Sequence, residues 1–305
     1  MQSFSYYLKH PTILRNVIMK HYCTWIPDKT YLRIKFRMMM GYKLNLKDPK
    51  TFHEKLQWLK LYDRKPEYVI MVDKVKAKDY VASLIGEEHI VPTLGVWKDP
   101  DEIDFDKLPN QFVLKCNHNS GVGMYICKDK KSMDIEKVKS GLREGLKENH
   151  WAFSREWSYK DVPRRILAEE FLVDEKTSVG GDLNDYKFYC FNGKVKYCEV
   201  ITGRNTKKQI DFFDLDWNHM EFNFEGYDFA DVRPTKPECF DEMIRIAGVL
   251  CKDLAYSRID LYVANGNIYF GEITFFPASG FKEYYPKEWN RKLGDFITLP
   301  KPTNK

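Results

Sequence analysis

The sequence lacks any apolar run approaching the roughly 18–20 residues that cross a bilayer. Its N-terminus, MQSFSYYLKHPTILRNVIMK, has neither a signal-peptide core nor a small-residue cleavage site. There is no CxxC pair among the seven cysteines, and an odd, scattered set in a 305-residue chain argues against a disulfide scaffold and for reduced, mostly buried thiols. Also missing are GxxxxGK[ST], a strand–GxGxxG–helix pattern, and any Ser/His/Asp or Cys/His arrangement that demands a side-chain nucleophile. No internal repeat and no low-complexity segment occurs. These absences predict a soluble cytoplasmic protein that is neither a Walker nor a Rossmann nucleotide binder.

What is present is an ordinary globular composition, 43% hydrophobic and 30% charged, with an uneven charge. Residues 1–80 hold 17 Lys and Arg against 7 Asp and Glu, a net of +10, while the remainder is at −5. A basic first segment on a slightly acidic body suits an anionic partner or a solvated helical surface.

Apolar residues recur at helical spacing over 11–25 and 30–42, separated by Pro27 and Asp28. Thr51 followed by Glu54 reads as a capping box that opens a helix at TFHEKLQWLKLYD. Another helix is predicted over 73–85, with Asp73 at its start and Gly86 as C-cap. From residue 90 short β-branched and aromatic runs take over, with helices interposed near 134–148 and 236–254. Asn192-Gly193 and Asn265-Gly266 mark hairpin turns. The chain thus reads as α+β, with mostly antiparallel sheets: a helical, basic region over 1–88, then two lobes over 89–172 and 173–305.

Four constellations carry chemistry. In FVLKCNHNSGVGMYI a strand ends in Lys115, and the loop that follows holds Asn117, Asn119, Ser120, Gly121 and Gly123. Small residues there would let backbone N–H groups approach phosphate, although an unliganded hairpin loop has the same composition. RRILAEEFLVDE places Glu169 and Glu170 at a strand end, before Phe171, Leu172, Asp174 and Glu175. This could be a purine-binding edge or a solvated edge strand. In DYKFYCFNGKVKYCEV, Asp185 and Lys187 share a strand face, with Lys194 and Lys196 on the return strand. An inward lysine needs a phosphate, Glu199 or another acid. Last, RIDLYVANGNIYFGEITFF sets Arg258 and Asp260 against Glu272 and Thr274. Directly opposed carboxylates repel, so Asp260 facing Glu272 makes sense mainly with a cation between them. That pairing requires a three-residue loop, or a two-residue turn with a bulge. A structural salt-bridge cluster is the alternative.

The order of these elements resembles the ATP-grasp superfamily. The finer detail of PKTFHEKLQWLKLYDRKPEY, LPNQFVLKCNHNSG, DYKFYCFNGK and RIDLYVANGNIYFGEITFFPASG is similar to the TupA-like ATP-grasp family, named for teichuronopeptide biosynthesis, over about residues 30–300. The resemblance implies an ATP-grasp fold with nucleotide held between two α+β lobes. Lys115 and the Asn117–Gly123 loop would contact the phosphates, and Glu169, Glu170, Phe171 and Leu172 would line adenine, with Asp174 or Glu175 at the ribose. Lys187 would bind the β- and γ-phosphates and Arg258 would stabilise the developing oxyanion. Asp260, Glu272 and Thr274 would hold Mg²⁺, with Thr274 standing where many relatives carry Asn. Lys74 and Lys78 would reach the nucleotide from the preceding helix.

The activity so implied is an ATP- and Mg²⁺-dependent carboxylate–amine ligase working through an acyl phosphate. Its substrates would be a small-molecule amine and the carboxylate of an acidic cell-envelope polysaccharide or its sugar precursor. A sugar kinase on the same site, or a nucleotide-sugar glycosyltransferase, are the competing readings. Nucleic acid is not an expected partner. The basic 11–42 segment, with Arg33, Lys35 and Arg37, is expected either to pack on the body as helices with solvated lysines or to dock peripherally on the inner face of the membrane.

Overall fold

The computed structural model describes residues 11–173, 183–203 and 207–303. The chain enters through helices α1 (Pro11–Tyr22), α2 (Asp28–Met40), α3 (Phe52–Tyr62), α4 (Glu67–Val72) and α5 (Lys76–Ile85). Pro27 precedes α2, and Gly41 closes it at φ 77°, its N–H donating to the Arg37 carbonyl. At α3 the capping box forms as expected: the Glu54 N–H donates to the Thr51 hydroxyl, and the Thr51 N–H donates back to the Glu54 carboxylate. The helix expected over 73–85 forms as α5, beginning at Lys76 and closed by Gly86, whose N–H donates to the Ala82 carbonyl. Asp73 lies in the turn between α4 and α5, where its Oδ1 accepts from the Val75 N–H at 3.0 Å and from Asn117 Nδ2 at 2.7 Å. The carboxylate thus serves both the helix start that local sequence assigns to it and a distant loop.

Two antiparallel sheets follow. The first has the order β1 (Thr93–Trp97), β4 (Ile166–Glu170), β2 (Phe112–Cys116), β3 (Tyr125–Cys127). Helix α6 (Ile135–Lys147) covers one face, where Val138 and Leu142 join a core with Phe112, Leu114, Ile166 and Ala168. Period-two alternation sends Val113, Lys115, Leu167 and Glu169 to the other face. The short helix α7 (His150–Ser154) connects α6 to β4.

The second sheet runs β10 (Asn267–Thr274), β9 (Tyr256–Ala264), β5 (Asp185–Phe191), β6 (Lys194–Thr202), β7 (Gln209–Phe213). Helix α8 (Phe240–Cys251) packs on one face, with Phe240 and Phe188 ring centroids 5.7 Å apart. The opposite face carries Asp185, Lys187, Tyr189, Arg258, Asp260, Glu272 and Thr274, because Lys187 pairs with Asp260, Tyr189 with Arg258 and Thr274 with Arg258. Two further short strands, β8 (Asn223–Phe224) and β11 (Tyr284–Tyr285), pair beside it, and helix α9 (Trp289–Phe296) lies against α3. At Gly294 an added Cβ would fall 2.2 Å from the Lys50 carbonyl oxygen, so only glycine permits that contact.

The N-terminal helices share one core with the second sheet. Phe52 of α3 meets Phe191 and Tyr256 at ring distances of 6.3 and 5.1 Å. Three cations are buried where these helices meet the 150–159 segment and the Pro277–Gly280 turn. Lys60 donates to the carbonyls of Ser154 and Ser279 at 2.9 and 2.8 Å. Lys35 donates to the Phe153 carbonyl at 2.6 Å and lies over that ring. Arg155, with no exposed surface, donates to the Cys23 carbonyl and stacks on Tyr31. Lys35 is therefore part of the interior, not of a membrane-facing surface with Arg33 and Arg37; it follows Tyr31 by one turn on the buried stripe of α2.

Burial, reinforced by Lys60, pulls the Lys35 ammonium down to about 6, and burial takes Lys60 to about 8. The unfolded chain holds these protons up to about pH 10.4, so between the folded and unfolded values unfolding takes up protons and stability rises with pH. Lys35→Met should remove part of that slope. Between pH 7 and 8.5 the unfolding free energy of the wild type should gain on the variant by up to about 1.4 kcal/mol per pH unit, read from urea titrations. Parallel curves for the two proteins would show that Lys35 is charged in the fold.

Candidate functional site

The polar faces of the two sheets and the turn between α4 and α5 meet at a narrow cleft that opens to solvent. Met71, Val91 and Phe270 supply apolar wall, and Lys74, Lys78, Lys115, Glu169, Tyr159 and Glu272 supply the polar groups.

On the first sheet Glu169 accepts from Lys78 at 2.7 Å through one oxygen and from Lys115 through the other. Burial would raise the Glu169 carboxyl, but Lys115 and Lys78 hold it below its ordinary value. Lys78 also donates to the Val91 carbonyl, and burial lowers its own ammonium. Lys74 Nζ donates to the Asn119 carbonyl at 2.7 Å, and its backbone N–H donates to the Asn117 carbonyl at 3.3 Å. Burial lowers Lys74 as well, opposed by Glu272 and Glu169. Three lysines from three elements thus converge on one end of the cleft. Lys74 lies in the turn before α5, tied to the loop after β2 through Asn117, and Lys78 in the first turn of that helix.

The other wall is the β9–β10 hairpin. Asn265 and Gly266 form a two-residue turn with φ of 51° and 80°, the conformation that favours Asn-Gly. Pairing runs regularly to Leu261 opposite Phe270, then skips Gly271, so Asp260 faces Glu272. Of the two registers expected, the two-residue turn with a bulge is the one formed. An added Cβ at Gly271 would lie 2.7 Å from the Tyr262 ring and 3.0 Å from the Asp260 carbonyl oxygen, which makes glycine the residue that fits the bulge.

The positive charge between the two acids comes from the protein. Arg258 grips Asp260 with Nε–Oδ1 at 2.6 Å and Nη2–Oδ2 at 2.7 Å. The same Nη2 reaches Glu272 Oε1 and Thr274 Oγ1, each at 3.2 Å. Thr274 donates its hydroxyl to Glu272 Oε1 at 2.7 Å. Lys187 donates to Asp260 Oδ2 and lies 3.7 Å from Asp185, so its partner is Asp260. Glu199 instead accepts from the Tyr189 hydroxyl at 2.6 Å. Burial would raise Glu272, but Lys74, Arg258 and Lys187 take it down to about 2. Burial disfavours the charged Arg258, but Asp260 holds it well above its ordinary value.

Several expected roles change with the geometry. Asn117 is fully buried: its amide donates to Asp73 and to the Pro163 carbonyl at 2.8 Å, and its side-chain oxygen accepts from the Arg165 N–H. Asn119 is buried and donates to the Gly145 carbonyl at 2.9 Å. Both side chains brace the loop rather than face a ligand. Gly123 packs against α6, where an added Cβ would stand 2.8 Å from Gly145 Cα. Ser120 and Gly121 are exposed at the loop tip, where small size leaves the backbone open. Glu170 follows the other alternation of β4 and points away from Glu169 into solvent, while its N–H donates to the Pro92 carbonyl. Phe171 and Leu172 leave the strand half-buried; Asp174 and Glu175 lie outside the described residues.

The oxygen donors expected at a metal, Asp260, Glu272 and Thr274, are brought together, and an all-oxygen set suits Mg²⁺. Glu272 keeps 38% of its side-chain surface open, whereas both Asp260 oxygens are taken by cations and its side chain is 3% exposed. Among the described residues no cluster of three or more His, Cys, Asp or Glu is poised to hold a metal ion. A divalent ion therefore fits at Glu272 and Thr274, and Asp260 could join only by exchanging one of its cationic partners.

The TupA-like ATPgrasp family profile matches residues 54–298. A comparison with curated proteins finds no match. Among solved structures, D-alanine–D-alanine ligase from Bacillus anthracis complexed with ATP is similar at 17% identity and a TM-score of 0.40, over 68% of this chain and 54% of that one. The D-alanine–D-alanine ligase from Helicobacter pylori is similar at 15% identity and a TM-score of 0.42, over 81% and 69%. The ATP-grasp ligase PsnB complexed with minimal precursor, Mg and ADP is similar at 14% identity and a TM-score of 0.36, over 73% and 57%. The chain thus spans roughly half to two thirds of the length of these structures.

The two hairpin acids should respond differently to neutralisation. Asp260→Asn strands two buried cations and should cost roughly 3–5 kcal/mol in urea unfolding. Glu272→Gln, with its carboxylate partly open, should cost under about 1 kcal/mol. Equal losses would mean that Asp260 does not carry the buried pairing.

Proposed function

The chain belongs to the TupA-like ATP-grasp family, and on that premise we propose that it is an ATP- and Mg²⁺-dependent carboxylate–amine ligase. The observation that carries the proposal is the cleft itself, where Lys74, Lys78 and Lys115 face Glu272 and its Arg258–Asp260 pair across a gap walled by apolar residues. Such an arrangement suits a polyphosphate lying between cations on one wall and a metal-binding acid on the other.

In this reading Lys115 and Lys78 leave Glu169 to meet phosphate oxygens, and Lys74 bridges toward Glu272. The backbone after Glu169, through Glu170, Phe171 and Leu172, offers the edge for adenine. The Ser120–Gly121 tip closes over the phosphates. Glu272 and Thr274 would hold Mg²⁺, joined by Asp260 if it exchanged one of its cationic partners, and the ion would supply charge neutralisation at the transferring phosphoryl group. A substrate carboxylate oxygen attacks the γ-phosphorus and the bond to the β-phosphate oxygen breaks, leaving ADP and an acyl phosphate. The amine then attacks the acyl carbon, the C–O bond to phosphate breaks, and the amine nitrogen loses a proton. Arg258 Nη2, held at the cleft wall by Asp260, is placed to stabilise the oxyanion of that second step, and Lys187 buffers the charge of Asp260 behind it. We take the carboxylate to belong to an acidic cell-envelope polysaccharide or its sugar precursor; the family's TupA-like character supports this.

ATP with Mg²⁺ should raise the unfolding temperature; at 100 times its Kd a ligand adds about 2.7 kcal/mol. The shift should shrink in both Lys115→Ala and Glu272→Gln. With a carboxylate substrate and hydroxylamine in place of the amine, a hydroxamate should accumulate with ADP. Stabilisation by a UDP-sugar and none by ATP would instead place the protein among glycosyltransferases.

A further inference from the structure

The structure separates the basic charge of the first residues from the cleft. Residues 1–47 contain nine Lys and Arg and a single carboxylate, Asp28. That carboxylate is already paired, with Arg64 at 2.8 Å and Arg155 at 3.5 Å. On α2 the exposed residues include Lys29, Arg33 and Arg37, one turn apart on a single stripe, with Thr30 and Ile34 beside them. Among the described residues none of these three cations makes an ion pair or a side-chain hydrogen bond, unlike Lys35 on the inner stripe. Ile34 leaves 45% of its surface exposed. In the connection that leads into this helix, Trp25 is 80% exposed and Tyr22, the last residue of α1, is 72% exposed, the indole N–H donating to the Tyr22 carbonyl at 2.9 Å.

We propose that this outer face of α2, with the Tyr22–Trp25 turn that precedes it, is a docking surface for an anionic lipid bilayer. Three unpaired cations in a row with no acid among them complement a negative leaflet. Exposed indole, phenol and aliphatic groups beside them match the headgroup boundary, where amphipathic rings and long cationic side chains partition. A soluble polyanion would reward the charges but not Ile34 and Trp25. No helix among the described residues is long and apolar enough to cross a membrane, so the contact is peripheral. Docking of this kind rests on surface residues remote in sequence from the cleft and is independent of the ligase chemistry.

The test is co-sedimentation of the full chain with vesicles of phosphatidylcholine alone or with about one third phosphatidylglycerol. The wild type should bind the anionic vesicles only, and less as salt is raised. Arg33→Glu with Arg37→Glu, and separately Trp25→Ala, should each lower the partition coefficient about tenfold or more, from roughly 1 kcal/mol per basic residue near a charged surface and the loss of buried indole. Unchanged unfolding temperatures and ATP-induced shifts in these variants would show that fold and cleft are intact. Wild type that ignores anionic vesicles at low salt, or charge-reversed protein that binds as well as wild type, overturns the proposal. So does wild type that binds soluble polygalacturonate but neither vesicle, which would assign the stripe to a polymer.

Discussion

The structure turns on one carboxylate. Asp260 lies on β9, between β10 and β5 of a five-stranded sheet, and its two oxygens accept from Arg258 on its own strand and Lys187 on the next. Removing Asp260 leaves two cations together with little access to water. The bidentate Arg258 grip also holds the guanidinium so that its remaining donor reaches Glu272 and Thr274 at the cleft. A buried structural pair and an open chemical edge are therefore built from the same arginine.

From that edge, positive and negative groups alternate across the cleft: Arg258, Glu272, Lys74, Glu169, then Lys115 and Lys78. Lys74 links the two halves electrostatically, since burial opposes its charge and Glu272 and Glu169 both favour it. Its neighbour Asp73 fixes the turn before α5 by accepting from the Val75 N–H and from Asn117. The helical N-terminal region is thus a wall of the site and shares the core of the second sheet. Its remaining charge points outward on α2.

Much of this was legible in the chain. The capping box at Thr51 and Glu54, the Asn-Gly turns and the strand alternation that puts Asp185 beside Lys187 depend on neighbours within a few residues, and all appear where local rules place them. The hairpin shows the limit. Opposed acids at 260 and 272 required either a longer loop or a bulge, and Gly271 supplies the bulge. Asn117, Asn119 and Gly123 show the reverse failure. A loop of small polar residues reads as a phosphate cradle, but two of its amides and one glycine serve packing against α6 and the Asp73 turn.

The sequence alone determined the α+β class, the helix starts, the turns and which charged residues share a strand face, because these follow from backbone chirality, side-chain period and hydrogen bonds within reach of a few residues. Only the tertiary structure decided which cation each acid takes. Lys187 had Glu199 directly across the sheet but pairs with Asp260, and Lys35 had a basic surface stripe for neighbours but lies inside. Such choices depend on distances between segments far apart in the chain and on how much water each charge keeps.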